Sequence, residues 1–128
     1  MQLSNLCRSI LESDEKILLV AIINSKGRVV EAKMRDDRVT KDLTDQKREM
    51  FFMQIALKSA MHRDFDGEFG LTKYAYSIRE KISTLSFLLN DYTGVVICDP
   101  SINPLLLIQN ISEIINKCDN LSNQEISC

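Results

Sequence analysis

The sequence predicts a single α+β domain in which helices pack on one five-stranded antiparallel sheet, in the order α-β-β-α-β-β-β-α. Two observations lead to this order. The chain has 128 residues, which is the length of one domain. Two groups of adjacent apolar segments are separated by a long stretch without Gly or Pro, which favours two hairpins joined through a helix. We expect the domain to span residues 1–118 and a flexible polar tail to follow at 119–128.

The first three elements are predicted from hydrophobic periodicity. Apolar residues recur at helical spacing over residues 2–12, which predicts a short amphipathic helix. Residues 16–23 form a continuous apolar run rich in Ile, so we expect a strand that is covered on both faces. A turn follows at residues 24–27, where Gly27 can adopt a positive φ. The more polar residues 28–34 predict the returning strand of a hairpin, exposed at an edge of the sheet.

The longest helix is predicted from Thr44 to about Arg63. Thr44 is a favourable N-cap, and Asp45 lies in the first turn, where the helix dipole favours an anion. Apolar residues occupy more than half of the circumference of this helix. We therefore expect it to pack against two surfaces, the sheet and a second one. Four of them lie near one line: Met50, Met53, Leu57 and Met61. Two interpretations of the methionines stay open, namely packing against the sheet or an adaptable interface with a partner chain.

The second half of the chain contains three further strands and a closing helix. Alternating residues predict strands over 71–79 and 82–90, joined by a tight turn at Glu80 and Lys81. We expect a turn at 91–94 and then a short buried strand at 95–98. Asn103 and Pro104 fit the N-cap and the first position of the last helix, whose apolar residues continue to Cys118.

Composition excludes several classes of partner. The 16 basic and 18 acidic residues give a net charge of −2, and Trp is absent, so we expect no nucleic-acid partner. The apolar runs are too short to span a bilayer, and the first residues lack a signal-peptide pattern. The four Cys lack metal-binding spacing and resemble buried small hydrophobic residues. We therefore expect a cytoplasmic protein without a membrane partner.

No catalytic constellation is visible in the sequence. His62 precedes three carboxylates, Asp64, Asp66 and Glu68, but a calcium loop beginning there would place Lys73 where a bidentate Glu is needed. The chain contains neither of the Gly-rich phosphate-binding motifs, and no spacing singles out a pair of carboxylates. We therefore predict a non-enzymatic protein with no catalytic, cofactor-binding or metal-binding residues and no cofactor.

Two resemblances carry further expectations. The element order and length resemble the roadblock/dynein light chain class, a profilin-like fold shared by small scaffolds around GTPases. The segments EMFFMQIALKSAMHRDFDGEFG (49–70) and YAYSIREKISTLSFLL (74–89) resemble a family of short uncharacterised proteins from ammonia-oxidising archaea, which implies an archaeal lineage. In roadblock proteins the central helix and the strand after it commonly form a twofold dimer. This implies a dimer or partner interface that comprises Met50, Met53, Leu57, Met61, Tyr74 and Tyr76.

Two functions are therefore open. The first is a non-enzymatic homodimeric interaction or scaffold module, for which the roadblock resemblance implies regulation of a small GTPase. The alternative is a PAS-like or profilin-like sensor domain that holds a small ligand between the sheet and the helices. That sensor would need a few polar groups in its pocket, for which Ser86, Thr84 and His62 are the candidates.

Overall fold

The computed structural model describes the backbone of residues 2–123 and the side chains of residues 2–118. Its elements are α1 (Leu3–Glu12), β1 (Ile17–Ile23), β2 (Val29–Met34), α2 (Asp45–Arg63), α3 (Asp66–Phe69), β3 (Tyr74–Ile78), β4 (Ser83–Leu89), β5 (Tyr92–Cys98) and α4 (Pro104–Asn123). The predicted fold class and element order are confirmed, with the single-turn α3 as an addition. α4 extends to Asn123, beyond the predicted end at Cys118, and residues 124–128 of the predicted tail lie outside the described residues.

The five strands form one antiparallel sheet in the order β2-β1-β5-β4-β3. β1 lies between β2 and β5, and all of its residues are buried, as its continuous apolar run predicts. β2 is an edge strand, which confirms the expectation for residues 28–34, and β3 is the opposite edge. β3 is shorter than the predicted strand over 71–79, so the residues before Tyr74 belong to the preceding loop.

The outer edge of β2 is partly occupied by one of its own side chains. The Arg35 N–H donates to the Leu18 carbonyl at 2.8 Å. Along a strand, the main-chain N–H groups of successive residues point alternately towards and away from the partner strand. The N–H of Ala32, three residues before Arg35, therefore points away from β1. There it donates to Oε1 of the adjacent Glu31 at 3.2 Å.

The turn predicted at residues 91–94 is wrong, because β5 already begins at Tyr92. The β4–β5 turn consists of Asn90 and Asp91, and Asn90 adopts a φ of 53°, a left-handed conformation that Asn tolerates. Gly94 lies within the strand, opposite Phe87 of β4. A Cβ atom on Gly94 would lie 2.0 Å from Cζ of the Phe87 ring. Gly94 is therefore required by close packing within the sheet rather than by a turn.

Helices cover both faces of the sheet. α1 and α4 pack on one face, in a core that includes Leu6, Ile10, Val20, Ile22, Leu85, Phe87, Val96, Leu107 and Ile111. α2 packs on the other face, against Leu19, Ala21, Ile23, Val95 and Ile97. Because β1 and β5 contribute to both cores, their residues are apolar without alternation.

α2 is anchored at its start but contributes little to the core. The Thr44 hydroxyl accepts a hydrogen bond from the Lys47 N–H at 3.1 Å, which confirms the predicted N-cap. Ala56 is the one buried residue among the 19 of this helix. Three larger side chains are partly buried against the sheet: Phe51, Phe52 and Ile55. Most of the helix surface is therefore open.

The last helix begins as predicted. Oδ1 of Asn103 accepts the N–H groups of Leu105 at 3.0 Å and Leu106 at 3.3 Å, which is an N-cap arrangement. Among the described residues, none of the helices is long and apolar enough to cross a membrane.

Candidate interaction surface on the central helix

An apolar stripe runs along the side of α2 that faces away from the sheet. It consists of Met50, Met53, Leu57 and Met61, whose exposed fractions lie between 50% and 61%. Their spacing of three and four residues places them on one helix face. The side chains that pack on the sheet, Phe52, Ile55 and Ala56, lie on the opposite side of the helix. The stripe is therefore outside the core, and packing against the sheet does not account for the methionines.

The groove beside the stripe is lined by both uncharged and charged residues. Gln46, Gln54 and Ala60 line it next to Met50 and Met53, and Lys26 and Glu49 line it as well. An apolar centre with a polar rim is the usual anatomy of a protein interface. The outer face of α2 therefore combines an exposed apolar centre with a rim that includes charged groups.

Two more exposed aromatic side chains follow the end of α2. Phe65 and Phe69 are 55% and 82% exposed, and their rings stack with centroids 5.8 Å apart. The N–H of Phe69 donates to the Phe65 carbonyl at 2.9 Å, so α3 holds the two rings together. Neither residue was predicted as a site residue, although their spacing of four indicates that a single helical turn brings them together.

The structure does not bring the two predicted interface tyrosines to the methionine stripe. Tyr74 and Tyr76 are partly buried against the core on the α1–α4 face, whereas α2 covers the other face. The part of β3 that is open to a partner is its main chain. The Arg79 N–H donates to the Ile82 carbonyl at 2.9 Å, so alternate N–H groups, including those of Tyr76 and Ile78, point away from β4.

The three polar residues considered for a small ligand are only partly brought together. Ser86 and His62 line one cleft between the end of α2 and the sheet. Thr84 lies two residues earlier on β4 and does not line it.

Two of the described thiols, those of Cys7 and Cys98, are poor nucleophiles. Burial raises the pKa of Cys7 to about 11 and that of Cys98 to about 12. A thiol held in its neutral form neither attacks substrates nor binds metals readily. Within the described residues, no group of three or more His, Cys, Asp or Glu side chains could hold a metal ion.

Comparison with solved structures identifies the fold. A Roadblock/LC7 domain from Streptomyces avermitilis is 8% identical, with a TM-score of 0.70 over 94% of this chain and 97% of that one. MglB from Myxococcus xanthus is 12% identical, with a TM-score of 0.71 over 94% of each chain. MglB in a tetrameric arrangement is also 12% identical, with a TM-score of 0.64 over 85% of this chain and 78% of the other.

Comparison of sequences adds nothing to that likeness. No protein-family model and no curated protein matches the chain. The resemblance of residues 49–89 to archaeal proteins, with the lineage it implies, therefore stays a prediction. The likeness in three dimensions covers nearly the whole chain at very low sequence identity, and the chain accordingly has the Roadblock/LC7 fold.

Proposed function

We propose that this protein is a non-enzymatic homodimeric scaffold whose two copies meet through the outer face of α2 and the free edge of β3. The observation that carries the proposal is the exposed apolar stripe of α2, defined by Met50, Met53, Leu57 and Met61. A contiguous exposed apolar patch with a polar rim marks an interaction site on a globular domain. Methionine suits such a site because its flexible side chain adapts to the surface that covers it.

A second copy of the chain is the occupant that fits both elements. Ser59 and Arg63 of α2 line the same cleft as Ala75 of β3, so the end of the helix lies beside this edge of the sheet. A twofold axis that passes the outer face of α2 and the free edge of β3, outside this cleft, would place α2 against α2 and β3 against β3. Strand pairing would supply main-chain hydrogen bonds, while helix pairing would cover the apolar stripe.

The energetics require both contacts. Full burial of a Met or Leu side chain contributes about 1.5–3 kcal/mol, so covering a half-exposed one contributes on the order of 1 kcal/mol. The stripe residues of two copies together then contribute roughly as much as association costs, about 4–15 kcal/mol. Hydrogen bonds along the β3 edge would supply the surplus that makes the dimer stable.

Light scattering over a dilution series tests the dimer. The wild type should have twice the mass of one chain, and Met53→Lys should have the mass of a monomer with an unchanged circular-dichroism spectrum. The matched control is Leu105→Lys, because Leu105 is 77% exposed on α4, across the sheet from α2. A monomeric wild type at every concentration, or equal dissociation of both variants, would contradict the proposed interface.

We further propose that the dimer binds a small GTPase, as the roadblock resemblance implies. The support is the shared fold together with the second apolar site at Phe65 and Phe69, which a dimer formed along α2 could leave open to a partner. The test is biolayer interferometry with small GTPases of the source organism, loaded with GDP or with a non-hydrolysable GTP analogue. Binding that depends on the nucleotide supports the role. Absence of binding in both states by a confirmed dimer would contradict the GTPase role alone.

A further inference from the structure

A cleft opens on the α2 face of the sheet, between the last turns of α2 and strands β3 to β5. Its walls are formed by α2 on one side and by the loop after α3 on the other, and its floor by the sheet. The volume is about 80 Å³. The cleft exists because the sheet carries small side chains here, Ala75 and Ser86, where a larger residue would fill the space under the helix.

The lining combines two cations with several hydroxyl groups. Arg63 lies on the α2 wall and Lys73 on the loop wall, and Asp66 is the one carboxylate of the lining. The hydroxyl-bearing residues are Ser59, Thr72, Ser86 and Thr93. His62 adds an imidazole to the helix wall.

Neither cation is neutralised within the described part of the chain. The ion pairs found there involve Arg38 and Arg48, with Asp36, Asp99 and Asp45 as their partners. Arg63, Lys73 and His62 form no ion pair or hydrogen bond with a described side chain. In a protein with a net charge of −2, an unpaired positive cleft is a local departure from the overall charge.

We propose that this cleft binds a small phosphate-bearing anion, such as a phosphate monoester. A guanidinium donates two parallel hydrogen bonds to phosphate oxygens, and an ammonium supplies a compact charge from the opposite wall. The hydroxyl groups can donate to the remaining oxygens, and Leu71 and Leu88 provide apolar contact for a short carbon chain. At about 80 Å³ the cleft is well below the roughly 300–1,000 Å³ of sites for drug-sized ligands, so it suits a compact anion whose remaining atoms stay in the solvent at the mouth. Two of the three residues predicted for a small-ligand sensor, Ser86 and His62, line this cleft, and every lining residue belongs to one chain.

Isothermal titration calorimetry at constant ionic strength tests the proposal with three probes: glycerol 3-phosphate, inorganic phosphate and acetate. Arg63→Gln should weaken binding of both phosphate probes by roughly tenfold or more, the loss expected for a hydrogen bond to a charged group. The matched control is Lys58→Gln, which removes a cation of α2 that does not line the cleft and should leave the affinity unchanged. Ser86→Leu should fill the floor and abolish binding.

The outcomes separate the possible sources and the two proposals. Tighter binding of glycerol 3-phosphate than of inorganic phosphate assigns the site to an ester, and equal affinity assigns it to phosphate itself. The proposal would be overturned if the wild type bound neither phosphate probe. It would also be overturned if the wild type, Arg63→Gln and Ser86→Leu bound both phosphate probes with equal affinity. Light scattering on the same samples measures the oligomeric state, while calorimetry measures anion binding. The two proposals can therefore be contradicted independently of each other.

Discussion

Gly27 packs directly against the main chain of Met53. A Cβ atom on Gly27 would lie 2.6 Å from the Met53 Cα and 2.9 Å from its nitrogen, and Gly27 itself has a φ of +81°. The β1–β2 turn thus supports α2 near its middle, at the residue whose side chain points outward in the apolar stripe. A helix with little buried surface is held in place by a contact that only glycine permits.

Gly27→Ala should destabilise the domain. The left-handed conformation alone costs an alanine about 1–2 kcal/mol, and the added methyl group must also displace α2. Urea denaturation would measure the loss. Gly67→Ala is the matched control, because no atom lies within 4 Å of its added Cβ. Its stability should be unchanged or raised by up to about 1 kcal/mol. Equal stability of the two variants would contradict the role of Gly27.

Gly94→Ala should also destabilise the domain, for a different reason. Its Cβ would overlap the Phe87 ring, and such overpacking costs about 1–3 kcal/mol. Phe87→Leu removes the ring, so Gly94→Ala should cost less in that background than in the wild type. A double-mutant cycle by urea denaturation measures this coupling. Additive losses would show that the ring is not the obstacle.

Ile78→Pro should weaken the proposed dimer without unfolding the chain. The side chain of Ile78 is 70% exposed and its N–H points away from β4, so proline removes no hydrogen bond within the sheet. Loss of one or two main-chain hydrogen bonds between copies would raise the dissociation constant roughly tenfold. Analytical ultracentrifugation would measure it, with Ile78→Thr as the control that keeps the N–H. Equal dissociation constants would remove β3 from the interface.

Alkaline pH should destabilise the domain through its buried thiols. Burial raises the pKa of Cys7 from 9.0 to about 11 and that of Cys98 to about 12. A raised thiol pKa means that the folded state favours the neutral form. Its stabilising contribution is therefore complete below pH 9 and is lost as the pH rises from 9 to about 11–12. Urea denaturation at pH 7 and pH 10 would measure the decline, which should be smaller in a Cys7→Ala, Cys98→Ala variant. An equal decline would assign it to other groups.

The sequence predicted those parts of the fold that local patterns determine. The run at residues 16–23 predicted a fully buried strand, because burial on both faces removes polar positions. Thr44 and Asn103 predicted helix starts, because a cap depends on neighbours within three residues. The methionine spacing predicted a common face, but whether that face was core or surface depended on where the sheet lay.

The parts that were missed depend on distant partners. Gly94 was interpreted as a turn residue, since nothing nearby in the sequence shows that the Phe87 ring needs its space. Tyr74 and Tyr76 were grouped with the methionines as interface residues, with core packing as the alternative. Alternation along β3 turns their side chains towards the core on the α1–α4 face, and their place in an interface stays a prediction. The cleft could not be predicted as a whole, because Arg63, Lys73 and Ser86 come from three separate elements.

The hydrogen bond from the Ala32 N–H to the Glu31 carboxylate disfavours the addition of another strand at the β2 edge of the sheet. A sheet with two open borders could add subunits on both sides and propagate into a fibre. Here a negative charge already occupies a donor at one border, so an incoming strand there would have to displace it. The proposed dimer uses the other edge, β3, where the N–H groups of Tyr76 and Ile78 point outward. The carboxylate on β2 would therefore disfavour further strand addition at the opposite edge of that dimer.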